Sequence, residues 1–250
     1  MGEKVRTKKK SKVTHRGVAI ELSKVSKVYS FRQEKPTFTE LLFSFGERKQ
    51  FKALDDVNLT IYKGEKVGII GHNGSGKTTI LKIISKISTP TMGSVFTNGK
   101  VVSLIDLTAG FHPELTGYEN IFLNGLIIGM SKDDINDNLE KIIDFADIKE
   151  FIYSPIYTYS DGMKLRLGFS IAIYSNPDVL ILDEGITAGD IDFQKKSGEK
   201  IEQLFREDKT IIVVSHWLDY LKRHCNKFLV MENGKIVKSG GKEIIRSYKK

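Results

Sequence analysis

Eight consecutive residues, Gly71-His72-Asn73-Gly74-Ser75-Gly76-Lys77-Thr78, have the types and spacing to hold a phosphate. Glycines at three of these places let the backbone curl until successive N–H groups face one anion. Lys77 adds a point charge suited to β- and γ-phosphates. Thr78, with Thr79 beside it, offers a hydroxyl to Mg²⁺. A second group lies at Val179–Glu184 (VLILDE), where four apolar residues end in two acids. Asp183 supplies an oxygen ligand for Mg²⁺, and Glu184 can take a proton from an attacking water. Alone, such a run is more often a strand reaching solvent. Together the two groups read as a nucleotide-hydrolysing site.

The elements around these groups can position them. Lys66–Ile70 (KVGII) is a short apolar run that reads as a buried strand entering the cradle. Thr78–Ile87 has helical spacing at Ile80, Ile83, Ile84 and Ile87, so the cradle opens a helix and gains its positive end. Val18–Tyr29 and Ala53–Tyr62 alternate as strands. Asn98-Gly99, between apolar runs, predicts a hairpin. Helices are expected over Thr116–Gly129, over Lys132–Phe145 with a Ser131 cap, over Asp161–Tyr174 and over Ile191–Phe205. Val179–Leu182 and Thr210–Val214 read as buried strands, and Phe228–Glu232 with Lys235–Lys238 as a closing hairpin at Asn233-Gly234. Strands alternating with helices imply a mostly parallel sheet covered on both faces.

Composition sets the frame. The chain has 250 residues, 40% apolar and 28% charged, with one cysteine, Cys225. Mean hydropathy is −0.22. These values exclude a disordered or fibrous chain and an intramolecular disulfide. No apolar run nears the ~18 residues of a membrane helix, and no secretory leader is read at the start. Net charge is +8. Most of it sits in residues 1–16, where Lys4, Arg6, Lys8, Lys9, Lys10, Lys12 and Arg16 face only Glu3. This segment is expected to be a solvated tail rather than a nucleic-acid site.

Between the cradle and the acidic pair stands Tyr159-Ser160-Asp161-Gly162-Met163, just before a helix. Its place resembles the LSGGQ signature of ATP-binding-cassette (ABC) ATPases. His216, after the Thr210–Val214 strand, looks like that family's switch histidine. Thr187-Ala188-Gly189-Asp190 resembles the loop after its catalytic glutamate, and Tyr29 the aromatic on which adenine stacks. YSDGM, DEGITAGD and the run Gly110–Asn120 (GFHPELTGYEN) resemble the branch that exports bacterial polysaccharides: O-antigens, capsules and teichoic acids. The resemblance covers about residues 17–250. It implies an α/β P-loop NTPase fold with a mostly parallel sheet core, an N-terminal antiparallel β subdomain and an inserted helical subdomain at roughly residues 107–177.

The resemblance also implies roles. Lys77, Glu184 and His216 would be catalytic. Tyr29, Gly71, Asn73, Gly74, Ser75, Gly76, Lys77, Thr78, Thr79, Ser160 and Gly162 would bind ATP. Thr78, Asp183 and Asp106 would hold Mg²⁺, with Asp106 near the place of the family's usual glutamine. Asp161 replaces a small signature residue, so its charge would have to point away from phosphate. Two copies would pair head to tail, Ser160 and Gly162 of one capping the ATP of the other. A separate membrane permease would dock on the helical subdomain and contact the polysaccharide, at the cytoplasmic face of the inner membrane. No further carbohydrate-binding domain and no nucleic-acid partner are expected. An exporter of another lipid or drug, or a soluble ABC ATPase acting on nucleic acid or ribosomes, is the alternative. Phe38, Leu41, Leu42 and Phe45 share one helical face, which either covers the protein's own core or faces the permease.

Overall fold

The computed structural model describes residues 17–31, 49–183 and 190–248. The basic tail, the Phe38–Phe45 face and Glu184 lie outside the described residues. In chain order the strands are β1 (Val18–Phe31), β2 (Lys49–Tyr62), β3 (Lys66–Ile70), β4 (Met92–Thr97), β5 (Val101–Ser103), β6 (Val179–Leu182), β7 (Thr210–Val214), β8 (Lys227–Glu232) and β9 (Lys235–Gly240). The helices are α1 (Lys77–Ile84), α2 (Gly117–Ile127), α3 (Lys132–Ala146), α4 (Asp161–Tyr174), α5 (Ile191–Arg206), α6 (Leu218–His224) and α7 (Glu243–Tyr248).

Strand alternation builds the main layer. A six-stranded sheet runs in the order β5-β6-β7-β3-β8-β9, parallel except for β9. Successive side chains of a strand point to opposite faces. Val67, Ile69, Val179, Ile181, Ile212 and Val214 therefore pack on one face, against Ile80, Leu81, Ile83 and Ile84 of α1 and the inner residues of β1 and β2. Ile70, Leu180, Leu182, Ile211 and Val213 pack on the other, against Phe169 of α4, Phe193, Ile201 and Leu204 of α5 and Leu221 of α6. Both faces are covered, so these strands read as unbroken apolar runs.

A second sheet, β2-β1-β4, is antiparallel. Between β5 and β6 the chain inserts α2, α3 and α4, which share a separate apolar cluster with Ile121, Ile135, Ile142, Ile152 and Leu167. Helix α4 serves two clusters, giving Leu167 and Ile171 to this one and Phe169, Ala172 and Ile173 to the sheet. Its later half, Leu167–Ile173, is buried all round, whereas Asp161 at its start is exposed. Thr116 and Ser131 each close a capping box at the starts of α2 and α3.

Asn233-Gly234 turns β8 into β9, both residues at positive φ. The hairpin expected at Asn98-Gly99 is not formed. Strand β4 pairs with β1, while β5 pairs in parallel with β6 in the other sheet. Here Gly99, at φ 94°, lets the chain change sheets against Asp178. The Asp178 carboxylate accepts a 2.7 Å hydrogen bond from the Lys100 N–H and fixes the crossing. Helices α6 and α7 leave no signal in the sequence, since each is under two turns and too short to show a period.

Candidate nucleotide site

Strand β3 ends at Ile70 and α1 begins at Lys77, so residues 71–76 form the expected loop. Gly76, at φ 103°, precedes the helix. A Cβ there would stand 2.7 Å from the Ala53 carbonyl, and only glycine fits both demands. Because Gly76 has no side chain to cap α1, the first-turn N–H groups keep their donors for something outside the helix. Lys77 is buried and folds back over the loop. Its ammonium donates to the Gly71 carbonyl at 2.7 Å and to that of His72 at 2.9 Å. The Ser75 hydroxyl is buried inside the loop and has no hydrogen-bond partner among the described residues. Uncapped donors, a buried cation and an orphaned hydroxyl on one curl fit a polyanionic phosphate chain.

Parallel strands β3, β6 and β7 present their carboxyl ends at one sheet edge. The loop after β3, Asp183 after β6 and His216 after β7 therefore meet. A cleft of about 410 Å³ joins Asn73, Gly74, Gly76, Lys77, Thr78 and Thr79 to Asp183, Val214 and His216. Phe51 and Ala53 of β2 line it as well. Ser215 holds the turn that presents His216, its hydroxyl accepting from the Trp217 N–H at 3.0 Å. Thr78 and Asp183 bring a hydroxyl and a carboxylate to the cleft, a hard-oxygen set that suits Mg²⁺.

Ser160 and Gly162 stand outside this cleft. Ser160 caps α4, its hydroxyl accepting from the Met163 N–H at 3.2 Å. Tyr159 is buried just before it and donates to the Phe151 carbonyl at 2.6 Å. Burial pushes that phenol up to about 12 and keeps it a donor. The helix start is thus fixed, and its exposed residues Ser160, Asp161 and Gly162 face away from the protein's own core. Asp161 pairs loosely with Lys164 at 3.6 Å.

The ABC transporter family pattern matches residues 54–187, from β2 through the acidic pair. The chain belongs to the ABC transporter family. It is similar to the O-antigen export system ATP-binding protein RfbB of Myxococcus xanthus, 43% identical over 218 residues, covering 84% of this chain and 50% of the relative. It is equally similar to the teichoic acids export ATP-binding protein TagH of Listeria innocua, 43% identical over 236 residues, covering 93% of this chain and 70% of the relative. The chain spans 66% of another relative, the ABC transporter protein AbcA of Aeromonas salmonicida. Among solved structures, the ATP-binding subunit of an ABC transporter superposes with a TM-score of 0.69 at 22% identity, covering 92% of both chains. That likeness concerns the fold.

Two of the expected residues lie outside the lining of this cleft. Asp106 lines a separate pocket with Leu107, Asn124 and Gly168, not the nucleotide cleft. It follows β5, three strand spacings from β3, or about 14 Å. The sequence order alone could not reveal that separation. Tyr29 is half exposed and pairs across the sheet with Phe51. Directly opposed residues share a face, yet it is Phe51 that lines the cleft. Phe51 escaped the sequence reading because Lys49, Gln50 and Lys52 around it mask the strand's start.

Proposed function

We propose that this chain is the ATP-hydrolysing subunit of an exporter of cell-surface polysaccharide, driving a separate membrane permease. The observation that carries the ATPase reading is the cleft that joins the glycine loop and Lys77 to Asp183 and His216. The names of the O-antigen and teichoic-acid relatives support the polysaccharide class. No helix among the described residues is long and apolar enough to cross a membrane, which is in keeping with a peripheral subunit on a permease at the cytoplasmic face.

The protein's residues divide the work. The loop N–H groups and Lys77 hold the β- and γ-phosphates and neutralise their charge. Thr78 and Asp183 hold the ion. Bound Mg-ATP supplies the anhydride that is cleaved and the positive charge that screens its oxygens. Glu184, next to Asp183 in the chain, takes the proton of the attacking water, and His216 positions the γ-phosphate end. Phe51 and Tyr29 give the base an aromatic surface. Ser160 and Gly162 complete the site of a second copy. The helical insertion between β5 and β6 receives the permease.

The direct test is Mg²⁺-dependent ATPase activity of the purified chain and of Lys77→Ala. A charged hydrogen bond is worth about 1.5–3 kcal/mol, so the variant should bind ATP roughly 10–150-fold more weakly. Deleting the gene in its host should also remove polymer from the cell surface. Wild-type-like ATP affinity in Lys77→Ala would refute the cradle.

A further inference from the structure

Behind the nucleotide cleft lies a second cavity, of about 300 Å³, at the lower end of the range for small-molecule sites. Buried Leu182, Val213 and Ile201 form its apolar wall, and Trp217 and Tyr220 line it as well. Two features set it apart from a packing gap. Gly198 lies inside the 16-residue helix α5 and lines the cavity, and a Cβ built on it would meet nothing within 4 Å among the described residues. Its φ is not positive, so neither backbone conformation nor the packing of the described residues calls for glycine. A glycine in a helix interior costs stability relative to alanine, and here its one structural effect is to leave space. Trp217, the single tryptophan of the chain, is 71% exposed although it lines an apolar cavity. A large flat ring left in water beside an apolar wall offers a stacking surface.

The cavity also touches the reaction edge. Asp183 lines both it and the nucleotide cleft. Ser215 and Trp217, which line it, flank His216 on either side.

We infer that this cavity is a regulatory site for a small, flat, mostly apolar molecule, which stacks on Trp217 over the gap at Gly198 and slows ATP turnover. The regulatory half rests on the ATPase reading above; the binding half does not. An occupant joins α5 and Asp183 to the turn that carries His216, and so ties the two sides of the reaction edge together.

Trp217 supplies its own reporter. The probe is N-phenyl-1-naphthylamine, a neutral apolar fluorophore that accepts energy from tryptophan. With wild-type protein and no nucleotide, excitation of Trp217 should give saturable probe emission at one probe per chain. Gly198→Leu fills the gap and should weaken that binding at least tenfold. Gly198→Ala adds one methyl and should fall between, which covers the case in which leucine disturbs the helix. Melting curves and ATP binding check that both variants are folded. Absence of transfer in the wild type, or equal transfer in all three proteins, overturns the site. In the second arm, the probe should slow Mg-ATP hydrolysis by wild type and spare Gly198→Leu. Probe binding with unchanged hydrolysis overturns the regulatory half. A wild-type chain that binds probe but never hydrolyses ATP refutes the ATPase reading and leaves the binding site standing.

Discussion

At the scale of single residues, the cleft divides into what chemistry dictates and what geometry adds. Glycine at Gly76 and a cation at Lys77 are demanded by a tight loop that holds phosphate, so their types and spacing betray them in one dimension. Phe51 is different. An aromatic in a strand has many uses, and only the register that sets it opposite Tyr29 and at the mouth of the cleft gives it one. Base–aromatic stacking is worth about 1–3 kcal/mol on alanine substitution. Phe51→Ala should therefore raise the Kd for ATP roughly 5–150-fold and leave the melting temperature nearly unchanged, because Phe51 is half exposed. Equilibrium binding of a fluorescent ATP analogue measures it. An unaltered Kd would hand the base to Tyr29 alone. Asp106 makes the reverse point. Its carboxylate is the right chemistry, but it follows an edge strand and lines a different pocket.

At the scale of elements, long or fully buried pieces were legible and junctions were not. The bounds of β3, β6, β7 and α4 match the apolar runs and the helical period, because the strands are buried almost end to end and the later half of α4 is buried all round. The Asn98-Gly99 turn has a hairpin's residues, yet it carries the chain between sheets, since only the later partners of β4 and β5 decide its role. A second junction is held by one side chain. Asn120 is fully buried; its carbonyl accepts from the His112 N–H at 2.8 Å, and its amide donates to the His112, Leu115 and Thr116 carbonyls. It therefore shapes the 112–116 turn that leads into α2. Asn120→Ala leaves several of those groups unpaired, at about 1–3 kcal/mol. The melting temperature should fall by roughly 2–12 °C. If the turn is the permease contact, polymer export should fall more than ATPase activity of the isolated chain. A melting point within a degree of wild type would show that water replaces the amide.

At the scale of the whole molecule, one chain holds Ser160 and Gly162 away from its own nucleotide cleft. Ser160 and Gly162 begin α4 on the exposed surface and do not line the cleft that holds Lys77. Gly162 sharpens the point. Among the described residues, a Cβ built on it meets only the Ser160 hydroxyl, at 3.8 Å, so their packing has room for a side chain. Glycine at such a place is explained if something from outside must come close. A second copy, bringing its bound nucleotide to the start of α4, meets that need, and the helix's N-terminal donors would then face the γ-phosphate. The prediction has two signs. Gly162→Glu puts a good helix former, with its charge favourably placed, in the first turn of α4. The free monomer should melt no lower than wild type and by propensity somewhat higher. In the background of Glu184→Gln, which should keep ATP intact, wild-type α4 should let Mg-ATP shift the protein from monomer to dimer in light scattering after gel filtration. Adding Gly162→Glu should abolish that shift, because a carboxylate would stand against phosphate, while each monomer still binds one ATP through its untouched loop. A dimer that persists with Gly162→Glu would place the signature away from the nucleotide and leave the head-to-tail pairing without its structural basis. A Glu184→Gln chain that stays monomeric at saturating Mg-ATP would mean that the pairing is not made by these chains alone.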